Sequence, residues 1–267
     1  MQGNVRVAGK MFVDTHAHLQ WRSFDDDRKD VLERAKEKRV TRIVNIGFDI
    51  AGCLKGVKLA ENHRELYATV GIHPHSANTL NKKIVDKLRE LAAKPKVVAI
   101  GEIGLDYYRN LSPREVQKRA FETQLALAQE LELPVVIHDR EAHDDILQTL
   151  SRFKGKVKGI MHCFSGNREM SQQCIDLGFK ISFNGTVTYP KNRELREIAE
   201  WIDLKSILLE TDCPFLAPQE VRGKRNEPSY LPMIAREIAN LKRVNVDDLA
   251  ETTTRNAEET LKLTAAS

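Results

Sequence analysis

The stretch MFVDTHAHL (Met11–Leu19) opens with a short apolar and β-branched run, Met11–Asp14, and carries two histidines, His16 and His18, just beyond it. Runs of similar length recur at Arg42–Ile46, Tyr67–Gly71, Val97–Gly101, Val135–His138, Gly159–His162, Lys180–Phe183 and Ile207–Glu210. Their apolar residues fall on consecutive positions, the pattern of parallel strands covered on both faces, whereas half-exposed antiparallel strands alternate. Between them lie segments rich in Glu, Lys, Leu and Ala at three-to-four spacing: Asp25–Lys38, Asn81–Ala93, Pro113–Glu132 and Glu194–Trp201. Ser112 before Pro113, with Glu115 after it, predicts an N-cap, a proline at the first helical position and a capping box. Eight strand runs alternating with helices predict a right-handed parallel β/α array, and eight units close a (β/α)8 TIM barrel. The alternative, an open doubly wound sheet, lacks its fingerprints: no GxGxxG follows the first strand and no GxxxxGK[ST] occurs.

A chain of 267 residues, 41% of them apolar, is large enough to bury the core of one such barrel. Residues 11–267 are expected to form this single domain, with 1–10 as a polar N-terminal extension and a final helix across Val246–Leu263. Forty-two Lys and Arg against 38 Asp and Glu leave a net charge of +4, too slight to draw a nucleic acid by field alone. The four cysteines, Cys53, Cys163, Cys174 and Cys213, show no CxxC or other close pairing, which points to a reducing compartment. No run approaches the roughly 20 apolar residues of a membrane span, and the N-terminus has no signal-peptide core. A cytoplasmic protein without a membrane partner is expected, and the sequence leaves its oligomeric state open.

Side chains able to bind metal fall at the ends of these runs. His16 and His18 follow the first, Glu102 the fourth and Asp212 the eighth, while His138 and His162 close the fifth and sixth. In a β/α barrel the C-terminal strand ends converge on one face, where active sites lie, so residues as distant as His16 and Asp212 meet. Histidines at i and i+2 of an extended run point the same way and reach one ion. Imidazole and carboxylate ligands without thiolate suit zinc, magnesium or manganese. Six ligands exceed what one catalytic ion with an open position takes, so two divalent ions are expected. Glu102 is assigned as a catalytic bridge between ions about 3.5–4 Å apart. Asp212 is assigned as a further catalytic residue that orients or deprotonates the attacking water.

The segments FVDTHAHL, GIHPH (Gly71–His75), GEIGLDYY (Gly101–Tyr108), PVVIHDR (Pro134–Arg140), MHCFSG (Met161–Gly166), ISFNGTVTYP (Ile181–Pro190) and LLETDCPFLAP (Leu208–Pro218) together resemble the TatD family of metal-dependent deoxyribonucleases. The resemblance covers nearly the whole chain from Met11. It implies a barrel of the amidohydrolase superfamily, the six ligands already named, and hydrolysis of DNA. Wider relatives often bridge their metals with a modified lysine, and Glu102 in that place sets this chain on the TatD side.

Further residues are expected around that centre. His73 ends the third strand and is assigned to the substrate phosphate, and Asp106 and Glu210 to the free ring nitrogens of the ligand histidines, or else to capping. After Asp212 the basic cluster Arg222-Gly-Lys224-Arg225 lies on the same face, so Arg222 and Arg225 are assigned to substrate phosphate. Thr254-Arg255-Asn256-Ala257 resembles a family motif and is expected to start a helix. The function these features favour is hydrolysis of DNA phosphodiesters, on single strands or ends. Two alternatives are a hydrolase of an amide, ester or lactone on the same barrel, and a noncatalytic scaffold, which the intact ligand set argues against.

Overall fold

Strand β1 (Phe12–Ala17) pairs in parallel with β2 (Val40–Asn45), and the order continues without a crossover through β3 (Leu66–Val70), β4 (Val97–Asp106), β5 (Val135–Arg140), β6 (Gly159–Met161), β7 (Phe179–Phe183) and β8 (Ile207–Leu209). The structure is a computed structural model that describes residues 9–263. Helices α1 (Arg28–Glu37), α2 (Ile50–Asn62), α3 (Lys82–Ala92), α4 (Arg114–Glu130), α5 (His143–Arg152), α6 (Arg168–Asp176) and α7 (Arg193–Trp201) return the chain between strands. Helices α8 (Leu231–Lys242) and α9 (Val246–Leu261) follow β8. The barrel expected from the sequence is therefore present. Among the described residues no helix is long and apolar enough to cross a membrane.

Two buried apolar layers follow from the alternation of strand side chains. Phe12, Ile43, Val135, Ile137 and Ile181 pack with the helices in one cluster. Val13, Val44, Val136, Ile160 and Leu208 form the other with Ala257, Leu261 and Leu263 from α9 and the residues just after it. Because strand side chains repeat every two residues, His138, His162 and Glu210 lie one step beyond Val136, Ile160 and Leu208 on the same face. The apolar floor and the polar mouth thus belong to the same rows of side chains.

Closure between β8 and β1 is short. Ala17 and Cys213 form an isolated parallel bridge, His18 N–H donates to the Cys213 carbonyl at 2.8 Å, and Asp212 N–H donates to the His16 carbonyl at 2.8 Å. The Asp14 carboxylate, fully buried, accepts from Thr211 N–H at 2.9 Å, Thr211 Oγ1 at 2.6 Å and His16 N–H at 3.2 Å. Burial pushes this carboxyl up to about 7 against the opposing effect of the Thr211 bonds. The seam is therefore stitched by residues next to His16 and Asp212.

Several expectations need correction. Strand β4 does not stop at Gly101 but runs on through Glu102 to Asp106, where Ile103–Asp106 stay paired with β5. Gly104 allows this, since at its φ of 144° an added Cβ would lie 1.9 Å from the His138 carbonyl oxygen. Helix α4 starts one residue later than expected: Pro113 is the N-cap, without a side-chain bond, and Ser112 Oγ instead donates to the His75 carbonyl at 3.1 Å. Thr254–Ala257 lies inside α9, which starts at Val246 with Asn245 as its N-cap. There Asn256 Nδ2 donates to the carbonyls of Leu204 and Ile207 at 2.9 and 2.8 Å, tying the helix beneath β8. Of the proposed extension, residues 1–8 lie outside the described residues; Lys10 N–H donates to Asp247 at 3.2 Å.

Replacing Asp14 by Ala leaves three buried donors without their acceptor, which is expected to cost about 1–3 kcal/mol in denaturant unfolding. Metal affinity, measured by calorimetry on the folded variant, is expected to fall with it. Wild-type values for both would mean that core packing alone holds the seam.

Candidate metal centre

Each ligand-type side chain reaches the barrel mouth from its own strand. His16 lies in β1 and His18 one residue past it; Glu102 and His138 lie within β4 and β5; His162 follows β6 and Asp212 follows β8. Asp212 adopts a φ of 56°, a left-handed conformation that aspartate tolerates better than most residues, as the chain turns back over the seam. The rings of His16 and His18 bring their Nε2 atoms to 3.2 Å from each other. Asp212 Oδ1 is 3.6 Å from His16 Nε2 and 3.4 Å from His18 Nε2, and Glu102 Oε2 is 3.6 Å from His16 Nε2. On the other side Glu102 Oε1 lies 2.9 Å from His138 Nδ1, 3.5 Å from His73 Nε2 and 3.7 Å from His162 Nε2.

All six ligands named from the sequence are thus brought together. Three sets of ligand atoms lie within 4.8 Å of one another: His16, His162 and Asp212; His16, His18 and Glu102; and His73, Glu102 and His138. His73, assigned from the sequence to the substrate, stands here among the ligands. Its signal was available in the sequence, since it follows β3 as His138 and His162 sit at β5 and β6, but the adjoining Pro74 gave a loop reading equal weight.

Whether these residues fit a cation is answered by their donor set. Two imidazole nitrogens 3.2 Å apart, both beside Asp212 Oδ1 and one of them beside Glu102 Oε2, form a donor set that suits a divalent cation. The remaining ring nitrogens are mostly held from behind. Asp106 Oδ2 is 3.0 Å from His138 Nε2 and 2.9 Å from His75 Nε2, and the His18 Nδ1 atom is 3.1 Å from the Ile46 carbonyl. Glu210 Oε1 lies 2.8 Å from His162 Nδ1, off the line of a good hydrogen bond, and accepts from Cys163 N–H at 2.8 Å. Carboxylates and carbonyls behind imidazoles fix ring orientation and raise ligand basicity. Burial, with Asp212 and Glu210 nearby, pushes the Cys163 thiol well up.

The electrostatics agree. Burial alone would raise Glu102, yet the surrounding His73 and His138 hold it well below the usual carboxylate range. Burial would likewise lower His138 and His162. Instead Asp106 and Glu102 carry His138 up to about 9, and Glu210, with Glu102 and Asp212, carries His162 up to about 10. His16, buried and beside His162, is held well below its ordinary value. Burial lowers His73 to about 4, against Glu102.

Above these ligands opens a cleft of about 1040 Å³. Arg109, Arg140, Lys191 and Arg193 line it, whereas Arg222 and Arg225 do not. Arg225 is committed elsewhere: its guanidinium bonds Asp27 at 2.6 and 2.9 Å, contacts the Ser23 carbonyl and covers the Phe24 ring. Arg222 lies over Tyr189, 4.6 Å from its centroid. The sequence assigned these two to substrate; neither lines the cleft, and Arg225 is held by Asp27. Arg140 was the legible replacement, two residues beyond His138 on one strand. Arg109 and Lys191 come from loops without periodicity, and Arg193 opens α7.

Comparisons with known proteins agree with this geometry. A family model described as TatD related DNase matches residues 13–262. An uncharacterized metal-dependent hydrolase, YabD of Bacillus subtilis, is 42% identical over 95% of this chain and 100% of its own. The 3'-5' ssDNA/RNA exonuclease TatD of Pantoea ananatis is 39% identical over 92% of this chain and 97% of its own. Among solved structures, the TatD homolog YjjV of Escherichia coli superposes with a TM-score of 0.90 at 31% identity, covering 95% of this chain and 98% of that one.

Metal loading at pH 7 is expected to release protons, because ligation requires neutral imidazoles while His138 and His162 are protonated up to about pH 9 and 10. Apparent affinity should accordingly rise with pH through that range. Calorimetry in two buffers of different ionisation enthalpy measures the release. Equal heats in both would show the two imidazoles already neutral.

Proposed function

The chain belongs to the TatD-related DNase family and is a metal-dependent hydrolase, and from that premise we propose that it is an exonuclease that hydrolyses phosphodiesters at the ends of single-stranded DNA, using two divalent ions. The observation that carries this reading is the division of Glu102 between two ligand groups, with Oε2 toward His16 and Oε1 toward His73, His138 and His162. A carboxylate so placed suits a bridge between two ions, and zinc, magnesium and manganese all accept this donor set. When bound, the ions supply charge stabilisation of the phosphoryl oxygens and lower the pKa of the attacking water. The relatives named as 3'-5' ssDNA/RNA exonucleases support a 3' end and extend the substrate to RNA.

The chain's own residues then divide the work. Asp212, 8% exposed at the cleft floor and beside both His16 and His18, is placed to orient the attacking water and take its proton. Arg109, Arg140, Lys191 and Arg193 are exposed on the cleft wall, where they bind backbone phosphates and hold the strand over the ligands. Asp106 and Glu210 keep His138 and His162 oriented from behind. Four unpaired cysteines support a reducing, cytoplasmic setting.

Asp212→Asn keeps size and removes the proton acceptor. Its single-turnover rate on a single-stranded oligonucleotide is expected to fall by roughly 10²–10⁴, with a smaller loss of metal stoichiometry on the same sample. Full activity with both ions present would remove Asp212 from the reaction, and loss of rate matched by loss of an ion would leave it a ligand only.

Salt dependence separates the cleft cations from the seam loop. Each lost phosphate contact is expected to reduce the slope of log K against log salt by about 0.7 for single strands. Arg109→Ala and Lys191→Ala are expected to show that reduction, and Arg225→Ala to keep the wild-type slope while losing stability through Asp27. A flattened slope only in Arg225→Ala would return substrate binding to the loop after Asp212.

A further inference from the structure

Three aromatic rings stand on the cleft rim beside His18 and hold no metal ligand by hydrogen bond. Trp21 comes from the loop after β1, Phe48 from the loop after β2 and Phe215 from the loop after β8, so three separate loops deliver them to one place. Trp21 stacks on Phe48 with centroids 5.6 Å apart and planes at 27°. It stands edge-on to Phe215 at 5.5 Å and 88°. The His18 ring is 5.7 Å from Phe48 and 6.2 Å from Phe215, so the aromatic group begins where the metal ligands end.

Exposure separates these rings from ordinary loop packing. Phe48 is partly covered and serves as backing, but Trp21 is 38% exposed and Phe215 45% exposed. Large aromatic rings at a loop contact are expected to be buried, because burial is what makes them stabilising. Here two perpendicular rings form an open apolar corner in a cleft that also carries Arg109, Arg140, Lys191 and Arg193. The cations of the cleft lining suit a phosphate backbone, and the exposed rings offer π-faces to bases.

Resting on the nuclease reading above, we propose that Trp21 and Phe215, backed by Phe48, form a stacking subsite for the nucleobase adjoining the phosphodiester held at the metal ligands. A base seated in this corner has its own phosphate, and not a remote one, beside His18 and Asp212. The subsite also gives a reason for single-strand use, since a base covered by neighbours in a duplex has no free face for Trp21. Because every base has a π-face, the subsite selects an unpaired nucleotide end and is tolerant of its sequence.

Two measurements test the subsite. With a single-stranded oligonucleotide, Trp21→Ala and Phe215→Ala are expected to raise KM about 5- to 150-fold with a much smaller effect on kcat, the range of one lost base–aromatic stack. The same oligonucleotide with an abasic end nucleotide should show that loss already in the wild type, with nothing added by either variant. Trp21→Tyr should restore most of the affinity, whereas Trp21→Leu, apolar without a ring, should not. Equal loss on intact and abasic substrates would overturn the proposal, since a loop-packing role does not depend on the base.

The second measurement needs no turnover. The chain has two tryptophans, and Trp201 lies on α7 beneath Arg168, at 4.1 Å and outside the cleft lining. In Trp201→Phe protein, Trp21 is the sole indole, and with EDTA present its emission should be quenched by the intact oligonucleotide and not by the abasic one. Absence of that difference overturns the subsite. The nuclease reading fails separately, if wild-type protein loaded with metal releases no nucleotides. Hydrolysis without differential quenching sinks the subsite alone, and differential quenching without hydrolysis sinks the nuclease reading and keeps the base-binding corner.

Discussion

A carboxylate buried inside a barrel sets the terms for everything around it. Glu102 is 4% exposed, and an unpaired charge at such depth costs several kcal/mol. The structure meets that cost by surrounding both oxygens with imidazoles from β1, β3, β5 and β6, and those imidazoles in turn require carboxylates behind them. Asp106 and Glu210 answer that requirement. The result is alternating layers of negative and neutral-to-positive groups that balance only when positive charge occupies the middle, as protons or as metal. Removing any one member leaves a buried partner uncompensated, so the set is expected to act as a unit in stability as well as in chemistry.

Barrel closure and metal binding are the same problem in this chain. Strand β8 is three residues long, and the segment after it joins β1 through an isolated bridge, Ala17 to Cys213, where His18 N–H bonds the Cys213 carbonyl and Asp212 N–H the His16 carbonyl. A seam so short would be weak if the residues flanking it were free to move. Asp14 stitches Thr211 to His16 from below, and ligand atoms of His16, His18 and Asp212 face one another from above. A cation bound by both sides of the seam therefore closes the barrel, and a closed barrel fixes the ligands. This reciprocity accounts for the φ of 56° at Asp212, where the chain gives up an ordinary backbone conformation to aim a carboxylate across the join.

How much of this could be read from the sequence depends on whether a feature is periodic. Strand rows repeat every two residues, so His138 and His162 at the ends of apolar runs announced both the barrel and its ligands. His16 and His18 did so within one run. Glu102 was legible as a ligand but its strand was cut short at Gly101, whereas Gly104, three residues on, permits the close approach to His138 by which the pairing continues. Asp212 was found through its place after the eighth run. Loops carry no such period. Arg222 and Arg225 were assigned to the mouth because they follow Asp212, yet the chain turns away and Asp27, 198 positions earlier in sequence, takes the Arg225 guanidinium. The cations that line the cleft and the aromatic corner come from separate elements whose meeting is a property of the closed barrel.

That division between rows and loops bears on how the molecule separates chemistry from recognition. The ligands sit on strands whose lower halves are packed core, Val136 below His138 and Ile160 below His162, so their positions are as rigid as the barrel itself. The groups that would meet a substrate, Arg109, Arg140, Lys191, Trp21 and Phe215, sit above them with few fixed partners and substantial exposure. A bound metal demands placement to a fraction of an ångström, which the packed core supplies. A flexible substrate demands adaptable contacts, which exposed side chains on the cleft wall supply without disturbing the groups beneath. Changes in the wall are therefore expected to alter what is held and how tightly, while the core-anchored layer continues to set the chemistry.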